Sequence, residues 1–373
     1  MIYDVAIIGA GIAGAGVAAE LDPRLSVVLI EAEDQPGYHA TGRSVAFWDE
    51  CYGGPGVQPL TSASGPFLAH PDASFAEASF LKPRGVLYLG EEADRVSMQA
   101  FLARFSAQGV RLDWLELDAV TAKIPGLYSK WTVGVFGTDC SDIDVSALHQ
   151  AYLRRARRNE VVTLLKSPVT SIWQTAGVWS LAAGAEQVQS RLIVNASGAW
   201  ADQIATLAGV TPLGHQPYRR TVAQVRTAPA APETLPLVIH HGGDFYFKPE
   251  PGGRIWLSPH DETPCAAGDV AAEELDVALA IDRLAGVVNW DVDAVERRWA
   301  GLRSFAPDRL PVYGHDPANP AFFWCTGQGG FGIQTAPAAA KLCAGSIERR
   351  TPDALVAGID ATRFAPRRFS NLG

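Results

Sequence analysis

Residues 4–14, DVAIIGAGIAG, contain the pattern from which the fold of the chain can be inferred. Residues 4–8 are almost wholly apolar, which is typical of a parallel strand buried on both faces. The GxGxxG glycines follow directly, residues 15–21 suit a helix, and SVVLI at residues 26–30 predicts a second buried strand. Together these segments predict one βαβ unit within about thirty residues.

Each residue type in this unit has a physical role. Gly9 permits a tight turn, Gly11 lets the backbone approach a pyrophosphate, and Gly14 allows the helix to pack closely on the strand. The N-terminus of the helix offers free N–H groups to phosphates. Glu31 ends the second strand, where its carboxylate can accept hydrogen bonds from ribose hydroxyls and disfavours a 2′-phosphate. The unit therefore predicts a site for FAD or NAD and makes NADP unfavourable.

Two later glycine-bearing segments favour FAD. Residues 191–200, RLIVNASGAW, form an apolar strand that ends in a turn of small residues. Residues 327–335, GQGGFGIQT, form a glycine-rich turn before an alanine-rich helix, whose positive end can point at a flavin ring. Three such segments in one chain are more typical of a flavoprotein than of an NAD enzyme.

Composition limits the class of protein further. The chain has 373 residues, 47% hydrophobic and 19% charged, which suits a globular enzyme of two domains. Its net charge of −9 argues against nucleic-acid binding. The five cysteines are scattered without metal-ligand spacing, which predicts free thiols and no metal. No long apolar run or basic leader is present in the sequence, so we expect a cytoplasmic protein without a membrane span.

Several stretches resemble the D-amino-acid oxidase (DAO) superfamily of FAD enzymes, which includes glycine oxidase and sarcosine oxidase. Within it, the sequence is most similar to the bacterial FAD-dependent D-arginine dehydrogenases. The matching stretches are 9–14, 35–44, 142–144 with 148–150, 195–200, 299–305 and 328–335. The resemblance implies an α/β fold with a Rossmann-type FAD-binding domain and a second domain. We assign residues 1–80, 143–213 and 308–373 to the first domain, and residues 81–142 and 214–307 to the second.

The resemblance also implies the residues that bind the cofactor. They are Gly9, Gly11, Ile12, Ala13, Gly14, Glu31, Ala32, Thr41, Gly42, Arg43, Ser44, Val169, Ala196, Gly198, Trp200, Arg303, Gly329, Gly330, Phe331, Gly332 and Ile333. In sarcosine oxidase the flavin is tethered to a cysteine shortly after the position that matches Arg303. Residues 304–308 here contain no cysteine, so we expect FAD to be bound non-covalently.

The second domain shows strand-like alternation at residues 84–89, 219–226, 244–248 and 254–258, with a hairpin turn at 250–253 and a helix at 270–284. This pattern predicts a mixed, largely antiparallel sheet that roofs the flavin. An amine-oxidising flavoenzyme needs a carboxylate clamp, for which a guanidinium and a phenol are well suited. The resemblance assigns that clamp to Arg303 and Tyr246, with Arg220 beside it.

The resemblance further implies that the Gly330 carbonyl accepts a hydrogen bond from the substrate amine and that Tyr52 lies on a mobile loop over the site. Phe47 and Val86 replace the histidine and glutamate of D-arginine dehydrogenases, and Trp48 adjoins Phe47. An apolar wall cannot satisfy a guanidinium, and the lost partner should cost about 2–5 kcal/mol of preference for arginine or lysine. We therefore expect oxidative deamination of D-amino acids with apolar or aromatic side chains, with oxygen or a quinone as electron acceptor.

Three alternatives remain open. A glycine or sarcosine type of oxidase would use a similar carboxylate clamp. An α-hydroxy-acid dehydrogenase is less favoured because it needs a base for the hydroxyl proton, and we assign no catalytic histidine. A flavin-binding redox module without catalysis is disfavoured by the clamp itself.

Overall fold

A computed structural model describes residues 1–369, whose strands fall into three sheets. The strands are β1 (Ile2–Ile8), β2 (Val27–Ile30), β3 (Phe47–Trp48), β4 (Leu81–Pro83), β5 (Val86–Glu91), β6 (Asp113–Glu116), β7 (Trp131–Gly137), β8 (Ser141–Ile143), β9 (Val162–Leu164), β10 (Val169–Thr175), β11 (Val178–Ala183), β12 (Glu186–Asn195), β13 (Gln216–Ala228), β14 (Leu237–His240), β15 (Tyr246–Glu250), β16 (Arg254–Ser258), β17 (Thr263–Pro264), β18 (Asp291–Phe305), β19 (Val312–His315) and β20 (Phe322–Thr326). The α-helices are α1 (Ile12–Glu20), α2 (Gln58–Ala69), α3 (Arg95–Ser106), α4 (Leu117–Lys123), α5 (Val145–Arg158), α6 (Ala201–Leu207), α7 (Glu274–Ala285) and α8 (Ala336–Ile347).

The first sheet is built around the apolar strand at the start of the chain. β1 pairs in parallel with β2 and β12, while β9 and β20 extend the parallel order on the two sides. Val5 and Ile7 belong to one buried cluster together with residues of α1, α5 and α8. Ala6 and Ile8 belong to a second cluster, on the other face, together with residues of α6. Burial on both faces explains why this strand is a continuous apolar run.

The second sheet contains nine strands, drawn from residues 86–137 and 216–305. Its only parallel pair among the described residues is β5 with β14, and the other neighbours are antiparallel. The longest ladder joins β13 to β18, from Gln216 opposite Phe305 to Ala228 opposite Asp291. The predicted α/β fold, with a mixed and largely antiparallel second sheet, is confirmed, as is the hairpin turn between β15 and β16.

Several element boundaries differ from the sequence-based expectation by a few residues, and three of them have a local cause. α1 begins at Ile12, three residues early, because the helix starts directly at the glycine turn. β5 begins at Val86 rather than at Arg84, because the left-handed backbone of Gly85, with a φ of +77°, interrupts the strand. α7 begins at Glu274 rather than at Val270, whose carbonyl oxygen instead accepts a hydrogen bond from Arg43 at 2.9 Å.

The third sheet has three short strands in the order β3, β8 and β4. It holds the start of residues 49–57, which connect β3 to α2 and which we call the Tyr52 loop. In the part of the chain that the structure describes, no helix has the length and apolar character needed to cross a membrane. Within residues 1–369, no group of three or more His, Cys, Asp or Glu side chains is arranged to hold a metal ion.

Candidate active site and cofactor cleft

A cleft of about 360 Å³ opens at the carboxyl ends of β1, β2 and β12. Most of the predicted cofactor residues line it, namely Gly9, Gly11, Ile12, Ala13, Glu31, Ala32, Thr41, Ser44, Val169, Ala196, Gly198, Trp200, Arg303, Gly329, Gly330, Gly332 and Ile333. Ligands of open parallel sheets bind in this position, outside the carboxyl ends of the strands. The three glycine-bearing segments are therefore brought together in one cleft.

The glycine turn between β1 and α1 has no room for side chains. Gly9 has a φ of +102°, and a methyl group there would lie 2.5 Å from the carbonyl oxygen of Ala196. A methyl group on Gly14 would lie 1.8 Å from the carbonyl oxygen of Gly9. Gly14 does not line the cleft, and its contact is the close packing of helix on turn that the motif predicts.

Glu31 is fixed at the end of β2 by the backbone. One carboxylate oxygen accepts the N–H of Ala10 at 2.9 Å, and the other accepts the N–H of Glu33 at 3.1 Å. The side chain lies in the cleft, where remaining lone pairs can accept ribose hydroxyls. His149 lies 2.9 Å from the carbonyl oxygen of Ala10 through Nε2 and so braces the same turn.

Three other predicted cofactor residues do not line the cleft. A methyl group on Gly42 would lie 2.7 Å from the carbonyl oxygen of Gly37, so this position is a tight crossing of the backbone. Arg43 turns towards the second sheet, where it pairs with Asp269 and donates to the carbonyl oxygen of Ala300 at 3.2 Å. Phe331 packs against the ring of Tyr52, with ring centroids 5.5 Å apart.

Arg303 joins the cleft to a second, small cavity. The cavity is lined by Ser44, Val45, Ala46, Phe47, Tyr52, Tyr246, Arg303, Gly330, Ile333 and Gln334. The Nε atom of Arg303 is buried and has no hydrogen-bond partner among the described residues. A buried guanidinium N–H without a partner is costly, and a bound anion would remove that cost.

Tyr246 and Arg220 surround this guanidinium. Burial raises the pKa of Tyr246, although Arg303 and Arg220 oppose the rise, so its phenol keeps the proton that it can donate. Arg220 is 2% exposed and donates to the carbonyl oxygen of Asp261 at 2.7 Å. Its Nη1 atom is also buried without a partner in residues 1–369, although Arg220 does not line the small cavity. Two cationic side chains therefore have spare donors in one region.

Tyr52 and Gly330 close the cavity from another side. The ring of Tyr52 meets that of Phe47 edge-on, with centroids 4.8 Å apart. A methyl group on Gly330 would lie 3.3 Å from the Tyr52 hydroxyl and 3.5 Å from the Cδ atom of Arg303. The backbone at Gly330 thus lies beside both the tyrosine and the arginine.

The three residues predicted to select the substrate side chain separate in the structure. Phe47 lines the small cavity. Trp48 follows it on β3 and lies away from the cavity, because successive side chains of a strand point to opposite faces. Its indole N–H donates to the carbonyl oxygen of Thr61 at 2.8 Å, and its ring packs over Gly65 of α2. Val86 is fully buried in the apolar cluster behind Phe47 and does not line the cavity.

Sequence reasoning missed His260, which lies near the clamp. Its ring centroid is 5.5 Å from that of Tyr246, and its Nδ1 atom is 2.5 Å from the carbonyl oxygen of Gly243. Burial, together with the charges of Arg220 and Arg303, lowers the pKa of His260 to about 3. The imidazole is therefore neutral, with Nδ1 as donor and Nε2 as acceptor. Its sequence context, a loop after a strand, carried no signal for this placement.

Gln334 was also unassigned, although it falls within the matching stretch 328–335. It lines the cavity, and its amide N–H donates to the carbonyl oxygen of Tyr52 at 2.9 Å and to the Thr61 hydroxyl at 3.1 Å. The stretch was interpreted only as a glycine turn, and the polar side chain within it holds the Tyr52 loop.

The donor set of the cleft fits FAD. The cleft has a fixed carboxylate for ribose hydroxyls and a side-chain-free turn at a helix N-terminus for phosphates. It is also lined by Arg303, whose buried Nε atom has no partner in the described part of the chain. Residues of all three glycine-bearing segments are available to hold a long dinucleotide.

Comparison with known proteins agrees with an FAD site in this cleft. The model of the DAO family, FAD dependent oxidoreductase, matches residues 4–345. Hydrogen cyanide synthase subunit HcnC of Pseudomonas aeruginosa is 23% identical, with coverage of 98% of this chain and 97% of that protein. Glycine oxidase of Bacillus licheniformis is 25% identical, with coverage of 92% of this chain and 93% of that protein. The crystal structure of L-proline dehydrogenase from P. horikoshii is similar in fold, with a TM-score of 0.85 and 19% identity. The match covers 99% of this chain and 98% of that one. The chain therefore belongs to the DAO family of FAD-dependent oxidoreductases, and FAD is its cofactor.

Proposed function

We propose that this protein catalyses the oxidative deamination of D-amino acids, with a preference for apolar or aromatic side chains. The observation that carries the proposal is the buried Nε atom of Arg303, which has no partner within residues 1–369. It lies where the cofactor cleft meets the small cavity, so an anionic group bound there would be held beside the cofactor. A carboxylate matches the planar donor geometry of a guanidinium.

The residues of this chain divide the work of binding and orientation. Arg303 and the protonated phenol of Tyr246 hold the substrate carboxylate, and the charge of Arg220 adds to the attraction. The carbonyl oxygen of Gly330 accepts a hydrogen bond from the substrate amine, which orients the α-carbon. FAD, when bound, supplies the acceptor for the hydride that leaves the α-carbon. The imino acid product is then hydrolysed to a 2-oxo acid and ammonia.

The side-chain preference rests on Phe47. Its ring forms part of the cavity wall, and no carboxylate among the cavity-lining residues could pair with a basic substrate side chain. A buried guanidinium or ammonium without a partner is unfavourable by several kcal/mol, of order 2–5. We therefore expect apolar D-amino acids to be oxidised in preference to D-arginine and D-lysine, with oxygen or a quinone as electron acceptor and with FAD bound non-covalently.

Oxidation of glycine or an N-substituted glycine is the second candidate. One observation favours it, namely that the small cavity has a volume of only about 20 Å³, which suits a substrate with little or no side chain. Glycine oxidase is also among the similar proteins.

Anaerobic mixing of the holoprotein with single substrates separates these candidates. The panel contains D- and L-phenylalanine, D-alanine, D-arginine, glycine and sarcosine, and the readout is the loss of oxidised flavin absorbance. We expect fastest bleaching with the apolar D-amino acids. Fastest bleaching with D-arginine would reject the side-chain proposal, and bleaching by glycine or sarcosine alone would favour the second candidate. Repeating turnover in air and with a soluble quinone identifies the acceptor.

A further inference from the structure

A buried carboxylate that the proposed chemistry does not use lies at the start of the Tyr52 loop. Asp49 is 4% exposed, and one of its oxygens accepts a hydrogen bond from the hydroxyl of Tyr88. The other oxygen accepts the N–H of Cys51 at 3.2 Å. No lysine or arginine within residues 1–369 forms an ion pair with it. Burial of a carboxylate without a cation is costly, so we expect an aspartate at this position to have a structural or functional role.

The surroundings of Asp49 increase that cost. Burial and, to a smaller extent, the charge of Glu50 raise the pKa of Asp49 to about 6, although the hydrogen bonds from Tyr88 and Cys51 oppose the rise. The other titratable groups near it are the thiols of Cys51 and Cys140, and neither is cationic. At neutral pH the side chain is therefore an anion held only by neutral donors.

Further hydrogen bonds of Asp49 fix the turn that carries Tyr52. The N–H of Tyr52 donates to the carbonyl oxygen of Asp49 at 3.1 Å, and the N–H of Asp49 donates to Gln334 Oε1 at 3.2 Å. The amide N–H of Gln334 in turn donates to the carbonyl oxygen of Tyr52. The Asp49 side chain, the Gln334 amide and the turn hydrogen bond from Tyr52 to Asp49 thus hold residues 49–52 in one conformation.

The hydroxyl of Tyr88 attaches this turn to a rigid element. Tyr88 lies in β5, which is paired on both sides, with β7 and with β14. Its ring is 6% exposed and packs against Phe101 of α3, with centroids 4.7 Å apart. Movement of the start of the Tyr52 loop away from β5 must break the Asp49–Tyr88 hydrogen bond, because β5 is paired on both sides.

We propose that Asp49 and Tyr88 form a positioning pair that anchors the Tyr52 loop to the second sheet and so holds the Tyr52 ring over the carboxylate clamp. The effect on substrate affinity rests on the proposed function, whereas the anchoring of the loop does not. Neither residue touches the substrate, and both act through the position of Tyr52.

The anchoring is tested by amide hydrogen exchange in the holoprotein. Tyr88→Phe removes only the hydroxyl, and we expect faster exchange at residues 50–57. Tyr152→Phe is the matched control, because Tyr152 is a fully buried tyrosine of α5 whose hydroxyl has no hydrogen-bond partner within residues 1–369. Unchanged exchange at residues 50–57 in Tyr88→Phe, or an equal change in the control, would overturn the proposal.

The effect on the clamp is tested with 3-phenylpropanoate, which carries a carboxylate and an apolar side chain but no amine to oxidise. We expect Tyr88→Phe to weaken its binding, followed by the flavin spectrum, by about 3- to 10-fold, the size of one lost hydrogen bond. KM for the substrate should rise by a similar factor while kcat changes less. Asp49→Asn can still accept from Cys51 and pair with Tyr88, so it should lose less affinity than Asp49→Ala.

The two proposals fail separately. If the wild-type holoprotein does not bind 3-phenylpropanoate but the exchange of residues 50–57 responds to Tyr88→Phe, the carboxylate clamp is rejected and the anchor stands. If the wild type binds the acid and Tyr88→Phe binds it equally well, the positioning role is rejected whatever the exchange shows.

Discussion

The cofactor cleft and the small cavity meet at Arg303, yet they are built by different means. The cleft is formed by backbone, since Gly9 and Gly14 are positions where a methyl group would overlap a carbonyl oxygen. The cavity is formed by side chains from distant segments, such as Phe47 of β3, Tyr246 of β15 and Arg303 of β18. A backbone site is specified by a short local motif, whereas a side-chain site requires the whole fold to bring its parts together.

The two regions also differ in their electrostatics. In the cleft, the carboxylate of Glu31 accepts two backbone N–H groups. Around the cavity, Arg220 and Arg303 have buried donors without partners among residues 1–369, and within the same residues the buried carboxylate of Asp49 has no cationic partner. Around the cavity, buried polar groups therefore lack partners at a cost to the stability of the fold, which is typical of sites that bind and react.

Gly14→Ala should have the largest effect, because it breaks the backbone region. The added methyl group would lie 1.8 Å from the carbonyl oxygen of Gly9, and neither backbone segment can yield without opening the turn. We expect purified protein without flavin, or insoluble protein. Flavin content measured after unfolding checks this. Gly345→Ala in α8 is the control, since a methyl group there meets no atom within 4 Å. Normal flavin content in Gly14→Ala would contradict the role of the turn.

Arg303→Met tests the side-chain region. Loss of the guanidinium removes the partner of the substrate carboxylate, at a cost of about 2–5 kcal/mol, which corresponds to a fall in kcat/KM of about 30-fold to several thousand-fold. Steady-state kinetics of the flavin-loaded variant measures it. Arg298→Met, on the same strand, is the control, because Arg298 is exposed and its one ion pair within residues 1–369 is with exposed Glu274 at 3.4 Å. Equal kinetics in the two variants would reject the clamp.

Asp49→Asn tests the cost of the buried anion. The pKa of Asp49 in the folded protein, about 6, lies above its ordinary value of 3.8, so protonation favours the folded state. That contribution is complete below about pH 4 and is lost as the pH rises through 6. The neutral amide avoids the loss, so its free energy of unfolding relative to wild type should rise by up to about 3 kcal/mol between acidic and neutral pH. Denaturant unfolding at several pH values measures this, and a constant difference would contradict it.

Phe47→Ala should have the smallest effect and concerns selectivity. Removal of the ring enlarges the cavity, so the ratio of kcat/KM for D-phenylalanine to that for D-alanine should rise about tenfold. Kinetics with the two substrates measures the ratio. Trp48→Phe, at the next residue, should leave it nearly unchanged, because that side chain faces α2. A larger change from Trp48 than from Phe47 would show that the wall has been assigned to the wrong face of β3.

The local motifs could be predicted with good accuracy from the sequence. The βαβ unit, the acid at the end of β2 and the glycine turns before α6 and α8 all lie where expected, because each depends on neighbours within about thirty residues. Helix starts were less accurate, as at α7, where Arg43 captures the carbonyl oxygen of Val270. A contact between residues more than two hundred positions apart leaves no local signal.

The site was predictable only in part. Arg303 and Tyr246 were identified through resemblance, and the structure brings both to one cavity. His260 was missed because nothing in its loop distinguishes it from a solvated histidine. Trp48 and Phe47 could not be separated, since the sequence does not tell which face of a two-residue strand points inward.

The sequence by itself determined that the chain binds a dinucleotide, because a glycine turn, a helix start and an acid act through backbone geometry that is written within one short segment. It also determined the mixed second sheet, through strands of alternating polarity. Only the tertiary structure decided which side chains surround the reacting position, which donors remain without partners, and that Asp49 and Tyr88 hold the Tyr52 loop. Those properties depend on burial and on contacts between β3, β5, β15 and β18, and burial is a property of the assembled fold.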